Sequence, residues 1–403
     1  MSKLAINGGT PVAAPGEFQS PEWPPVNEKT ADKIRDLYLS RQWSFNSKCE
    51  QEFENKYAEY HGAKYGIFMA NGTVTLECAL LALGVGPGDE VIVPALTWIA
   101  TAMAVRYVGA KVVFADIEPD TWALDPADFE KKITSRTRAV IPVHLYGTIA
   151  DMEKISSIAG RHGIAVIEDC AHMQGGKWNG RGVGSWGDIG SFSFQQSKTI
   201  ASGEGGICLT NDAKLAERLY RAKHIGYSRY DVQGQAGTPP PPGLICHNYR
   251  GLAISAQILS DQLDELPALL DSYNAFADGL REQIADIEGV RLQAPGRLAT
   301  TQGYYGLGIT FDSPRWNKFT RGDIARALYA EGVGLSGTYG PVYSHQLFNM
   351  AAEDYRLESC PVTEKISDRS LVIRHNTMGP AGNMEIAAKA LRKLSDNLDS
   401  LCC

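Results

Sequence analysis

Residues 138–170 read RAVIPVHLYGTIADMEKISSIAGRHGIAVIEDC, and this stretch decides the fold. It opens on a nearly unbroken apolar run, RAVIPVH (138–144), and closes on another, IAVIEDC (164–170). Between them ADMEKISSIAGRHG reads as a helix ending at Gly163, a residue suited to a left-handed cap. Strands that are apolar along their whole length are buried on both faces, and two strands joined through a helix run parallel.

The same rhythm continues in both directions. YGIFMA (65–70), EVIVPA (90–95) and KVVFADI (111–117) read as strands upstream, and IGSFSF (189–194) and GICLTN (206–211) downstream. NGTVTLECALLALG and TWIATAMAVRYVG read as helices between them. The expectation is an α/β chain whose large, mostly parallel seven-stranded sheet carries helices on both faces. An N-terminal arm (1–27) precedes it, with a helix starting near Glu28. The segment AGTPPPPG (236–243) cannot pair in a sheet. A long helical pattern then runs from about Ser255 to Ile287, with a kink expected at Pro267. It bridges a large domain (28–268) to a smaller C-terminal α+β domain (269–403).

Bulk properties narrow the function. The 403 residues suit two domains. A net charge of −7 with no Lys/Arg block disfavours nucleic acid and membrane surfaces as partners. MSKLAINGGTPVAAPG has no signal-like apolar core, and the apolar stretch Val91–Val105 is broken by Pro94, Thr97 and Thr101. Eight cysteines are scattered without a CxxC, and only Cys402 and Cys403 are adjacent. That pattern reads as reduced thiols in a cytoplasmic protein, with no metal site expected.

Sheets of this kind place ligands at the carboxyl ends of their strands. Asn71-Gly72-Thr73, His144, Asp169, His172 and Lys198 all fall there. Lys198 follows a strand in SFSFQQSKTIASGEGG (191–206). A lone lysine there is ordinarily a solvated strand end. A carbonyl cofactor needs such an amine, partly desolvated, to hold it as a Schiff base. The glycines after it let backbone pass close to a flat ring. Asp169 is either a local cap or the partner of a protonated pyridine nitrogen, with His172 near the same ring. Gly72 and Thr73 open a helix, where free amides bind phosphate, and Ser193 offers a hydroxyl. Trp98 is a core aromatic or a stacking face. Taken together, these groups describe the binding of pyridoxal 5'-phosphate (PLP).

As a set, these motifs resemble the DegT-type sugar aminotransferases, a branch of the aspartate-aminotransferase-like, type I fold of PLP enzymes. The resemblance runs through FENKYAEYHGAKYGIFMANGT, PGDEVIVPALTWIATA, DIEPDTWALDP, IPVHLYG, VIEDCAH, SFSFQQSKTIASGEGG and HNYRGLAISAQILSDQL. It implies that Lys198 is the Schiff-base residue and that Asp169 contacts the pyridine nitrogen. Gly72, Thr73 and Ser193 would hold the phosphate. Asn248 would reach the phosphate of a neighbouring subunit, making a homodimer with shared sites. A subset of the family carries His in place of the lysine and dehydrates its substrate; Lys198 sets this chain apart from that subset.

The implied reaction takes an amino group from L-glutamine or L-glutamate, with pyridoxamine 5'-phosphate as the intermediate form. PALTWIATAMAV, IPVHLYG and VIRHN (372–376) are similar to the branch that aminates scyllo-inosose in aminoglycoside pathways. A nucleotide-linked keto-sugar aminotransferase and an aminohydroxybenzoate synthase are the alternatives. The expected substrate contacts are His144, Arg250, Tyr339, His345, Arg374 and His375, with a solvated strand end as the other reading of the last two. A non-transaminating PLP protein of the same fold, or an unrelated α/β binding protein, are the competing classes.

Overall fold

The computed structural model describes residues 3–401 other than 46, 233 and 236. Cys402, Cys403 and Ala236, the first residue of the proline-rich segment, lie outside the described residues.

All seven expected strands form: β1 (Tyr65–Met69), β2 (Glu90–Pro94), β3 (Lys111–Ala115), β4 (Thr137–Val140), β5 (Ala165–Asp169), β6 (Ile189–Ser193) and β7 (Gly206–Thr210). They lie in one sheet in the order β1-β7-β6-β5-β4-β2-β3. Only β7 runs antiparallel to its neighbours. Successive residues point to opposite faces of a strand, and here both faces are core. Phe68, Ile92, Val113 and Val140 face one buried cluster, while Ile67, Val91, Val93 and Phe114 face another. Two apolar faces explain the continuous apolar runs in the sequence.

The sheet departs from the expected one in two places. The strand expected over 138–144 ends at Val140 as β4, two residues before Pro142, which has no N–H to give. Pairing resumes beyond it: the Pro142 carbonyl accepts from the Asp169 amide at 2.9 Å. An eighth strand, Tyr355–Arg356, comes from far down the chain and pairs parallel with β3.

The bridging helix spans Ala253–Gln283, 31 residues, and continues through Pro267. Beyond it, Val290–Leu292, Gly306–Phe311, Ser370–Arg374 and Ser336–Gly337 form a second, antiparallel sheet. In this sheet Gly306 pairs with Arg374. Tyr305 and His375, which flank that pair, therefore emerge together at the end facing the large sheet.

A buried ion cluster ties the large sheet to its flanking helices. Lys223 Nζ donates to Glu50 at 2.9 Å, to Glu54 at 3.2 Å and to the Phe68 carbonyl at 2.7 Å. Burial alone would lower the Lys223 ammonium, but the two carboxylates more than offset it and hold it above its usual range. Removing one partner leaves uncompensated charge in the core. Lys223→Met is therefore expected to cost about 3–5 kcal/mol. A urea midpoint lowered at unchanged slope will show this, and a loss under about 1 kcal/mol would contradict it.

Candidate active site

The carboxyl ends of β1, β2, β5 and β6 open on one cavity of about 1020 Å³. Gly72, Thr73, Trp98, Asp169, His172, Ser193, Lys198 and Tyr339 all line it. Eight of the residues expected from the sequence are thus brought together by strands far apart in the chain.

β6 delivers Lys198 through a tight turn, in which the Lys198 amide donates to the Gln195 carbonyl at 2.8 Å. The chain then reverses into antiparallel β7 through Gly203, at φ +83°. Gly206 must lack a side chain because a Cβ there would lie 2.6 Å from the backbone of Asn71. The glycines after the lysine thus make the reversal and let β7 press against the start of the phosphate-type turn.

The Lys198 ammonium lies 4.4 Å from the centre of the Tyr305 ring. Among the described residues no carboxylate is within ion-pair distance of it. Burial lowers its pKa to about 8, with Asp169 pulling the other way. Asp169 is buried at the end of β5, and burial raises its carboxyl. Thr101 donates to Oδ2 at 2.9 Å and the Ala171 amide to Oδ1 at 3.2 Å, both favouring the ionised form. Thr101 in turn hydrogen-bonds Thr97 at 3.0 Å. Its partner hydroxyl four residues earlier in ALTWIAT was the signal for this relay, and the sequence reading missed it.

His172 is buried and stacks on Tyr305, with centroids 4.0 Å apart. Its Nδ1 accepts from the Tyr146 amide at 3.3 Å, and burial first, then Lys198, lowers its pKa well below the usual value. It is a neutral ring.

At the other end of the cavity, the helix Gly72–Leu83 begins against β6. A Cβ on Gly72 would lie 2.5 Å from that of Ser193, so glycine is what allows the contact. Asn71 already caps the Thr73 and Val74 amides, each at 3.1 Å. The Gly72 amide and the Thr73 and Ser193 hydroxyls remain for an anion. An amine, a buried carboxylate, a flat ring wall and an anion cup match the four functional groups of PLP: aldehyde, ring nitrogen, ring face and phosphate.

Other expected residues lie elsewhere. His144 is buried behind β5, its Nδ1 accepting from the Ala150 amide at 3.1 Å and its Nε2 bonded to Glu168 at 3.2 Å. It does not reach the cavity. His144, Glu168 and Cys170 bring ligand-type atoms within 4.8 Å of one another, but Glu168 is engaged by the amides of Gly184, Trp186 and Gly187. Arg250 bonds His224 at 3.0 Å, away from the lining. His345 sits edge-on to Trp98, with centroids 5.7 Å apart, just outside. Arg374 is exposed at its strand end, and His375 is buried behind Ser197. Asn248 is exposed and is not a lining residue of its own chain's cavity. Tyr305, Ser197 and Tyr107 line the cavity without having been expected.

A profile of the DegT/DnrJ/EryC1/StrS aminotransferase family matches residues 25–387. The chain belongs to that family. A Micromonospora echinospora protein, provisionally named L-glutamine:3-amino-2,3-dideoxy-scyllo-inosose aminotransferase, is 35% identical over 99% of this chain and 98% of its own. The L-glutamine:2-deoxy-scyllo-inosose aminotransferase of Streptoalloteichus tenebrarius is 34% identical over 97% of each chain. The crystal structure of an aminotransferase from Psychrobacter cryohalolentis superposes with a TM-score of 0.85 at 30% identity, over 94% of this chain and 99% of that one. The fold and the aminotransferase class expected from the sequence are therefore borne out.

The lowered pKa of Lys198 makes a direct prediction. Below about pH 8 the amine is protonated and inert, and above it the amine is free. Labelling of Lys198 in cofactor-free protein by a small amine-selective reagent, read by peptide mass spectrometry, will be half-maximal at about pH 8 and level off above it. Surface lysines will keep rising toward their ordinary value near 10.4. A Lys198 profile that tracks the surface lysines would refute the assignment.

Proposed function

We propose that this aminotransferase depends on PLP and moves the amino group of L-glutamine or L-glutamate to a ketone on a cyclitol ring of the scyllo-inosose kind. The observation that carries this reading is a single cavity holding an amine, Lys198, and a buried carboxylate, Asp169, beside a glycine-opened helix start. When bound, PLP supplies an aldehyde that exchanges amines and a pyridinium ring that accepts electrons from a substrate carbon, and it carries the amino group between half-reactions as pyridoxamine 5'-phosphate.

The chain's own residues do the rest. The Gly72 amide and the Thr73 and Ser193 hydroxyls would hold the phosphate. Asp169, whose ionised form Thr101 and Ala171 favour against burial, would hold the proton on the ring nitrogen. Trp98 and His172, both in the cavity wall, would offer flat faces to the ring. Lys198 Nζ, once free, takes the proton from Cα of the donor and in the second half returns a proton to the acceptor carbon. Its pKa near 8 suits both directions.

The cavity wall favours the cyclitol over a nucleotide-linked keto-sugar. Among the described residues, Lys198 is the only Lys or Arg in the lining, against Glu77, Asp169 and Glu204. A diphosphate would find no second cation there. The relatives' names point the same way.

Pairing of two chains belongs to the same proposal. Asn248 is exposed outside its own cavity, and Ile245 and Leu252 beside it are each more than half exposed. A second copy covering this face would bring Asn248 to the other phosphate site. The domain division at 28 and 268/269 is also proposed. It is supported by the second sheet arising wholly beyond residue 289 and by the long helix leading to it. A cytoplasmic location is supported by six unpaired cysteines among the described residues and by the lack there of any helix long and apolar enough to cross a membrane.

The test is an acceptor screen. Purified yellow protein should lose its colour with L-glutamine and regain it with a keto-cyclitol but not with a nucleotide-linked keto-sugar. Lys198→Ala should lose more than the roughly 10²–10⁴-fold of acid–base catalysis alone, since nucleophile and base vanish together. Asp169→Asn should keep PLP and lose most of its turnover. A Lys198→Ala enzyme with a comparable rate would overturn the mechanism.

The shared site is tested by mixing. Inactive Lys198→Ala and inactive Asn248→Ala proteins, allowed to exchange subunits, should regain activity, because one site per mixed dimer keeps both residues. No recovery after demonstrated exchange would confine Asn248 to its own chain.

A further inference from the structure

The turn that delivers Lys198 is gripped from both ends of the chain. The Ser197 carbonyl accepts from Nε2 of His375 at 2.9 Å, and the Lys198 carbonyl accepts from the indole N–H of Trp23 at 2.8 Å. The two rings meet edge-on, with centroids 4.6 Å apart and planes at 83°. Trp23 lies in the N-terminal arm, which is itself tied to the C-terminal region. There Asn383 accepts from the Gln19 amide at 2.9 Å and donates to the Gln19 carbonyl at 2.7 Å.

The chemistry of His375 is settled by its partners. A carbonyl only accepts, so Nε2 must carry the proton. Tyr273 donates its hydroxyl to Nδ1 at 3.4 Å, which suits that tautomer. Burial lowers the imidazole pKa to about 4, so the ring stays a neutral donor through the working range. Neither His375 nor Trp23 lines the cavity.

These two carbonyls are consecutive. One belongs to the peptide plane before the Cα of Lys198, the other to the plane after it. Each plane is rigid, so fixing both fixes the two backbone torsions of Lys198 and the direction of its Cβ. We propose that Trp23 and His375 are positioning residues that pin both peptide planes of Lys198, so that only its side chain moves in turnover. The inference rests on the reading of Lys198 as the amine that takes up PLP. It replaces the expectation that His375 contacts substrate.

The test follows colour formation when cofactor-free protein meets PLP, above pH 8, where the amine is free. Trp23→Phe keeps a ring but loses the N–H, and His375→Phe does the same. Each should slow colour formation by about tenfold, since displacing a reacting group by about 1 Å can cost up to about 10²-fold. KM for L-glutamine should stay within about twofold, and thermal midpoints should be little changed. His375→Gln, which keeps an N–H, should recover most of the rate. Wild-type rates in both Phe variants, or a Gln variant no faster than His375→Phe, would overturn the proposal. If His375→Phe does not fold, Trp23→Phe decides: a wild-type rate overturns the proposal and a slowed one supports it. Wild-type protein that takes up no PLP through Lys198 would instead sink the reading of the site itself.

Discussion

A buried carboxylate with no protein cation beside it has to be held, and much of this molecule is arranged around holding Asp169. The sheet places it at the end of β5, where both faces are already covered and water is scarce. Thr101 and the Ala171 amide are its hydrogen-bond partners, and Lys198 lends a weaker, longer-range attraction. Those bonds are enough to orient the group but do not neutralise it. The remaining deficit is an open demand for a protonated nitrogen in the cavity. A pyridinium ring, as in the proposed function, would meet that demand, so that ring binding and charge satisfaction would be one event.

Much of this was legible in the sequence because it followed local rules. Continuous apolar runs marked all seven strands, and strand ends marked the cavity. The Gly72-Thr73 turn stood out as a helix start at a strand end, and Lys198 stood out through the glycines that follow it. Boundaries slipped where a backbone group was missing, as at Pro142, where β4 stops early.

The unread part is made of contacts across the chain. The sequence pattern puts His144 at a strand end like Asp169, yet it lies past the end of β4 and bonds to Glu168 behind the sheet. Period-two patterning assigns a residue to a face only once its register is known, and two buried faces look alike. Tyr305 enters from the small sheet, more than 100 positions from Lys198. Trp23 and His375 meet over Lys198 from opposite ends of the chain. No spacing rule relates such residues. Their aromatic character alone reads equally well as core.

The eighth strand, Tyr355–Arg356, has a consequence for how the chain is made. It caps β3 at one edge of the large sheet, while Arg250 bridges to Met69 at the other. A bare strand edge is a template for other chains. During synthesis the β1 edge gains its bridge once residue 250 has emerged, but the β3 edge stays open until residue 356 does. While residues 250 to 356 are being made, therefore, the nascent protein carries a nearly finished sheet with one adhesive side. The finished enzyme hides this hazard, which falls on the growing chain at the ribosome, where crowding and chaperone supply decide its fate.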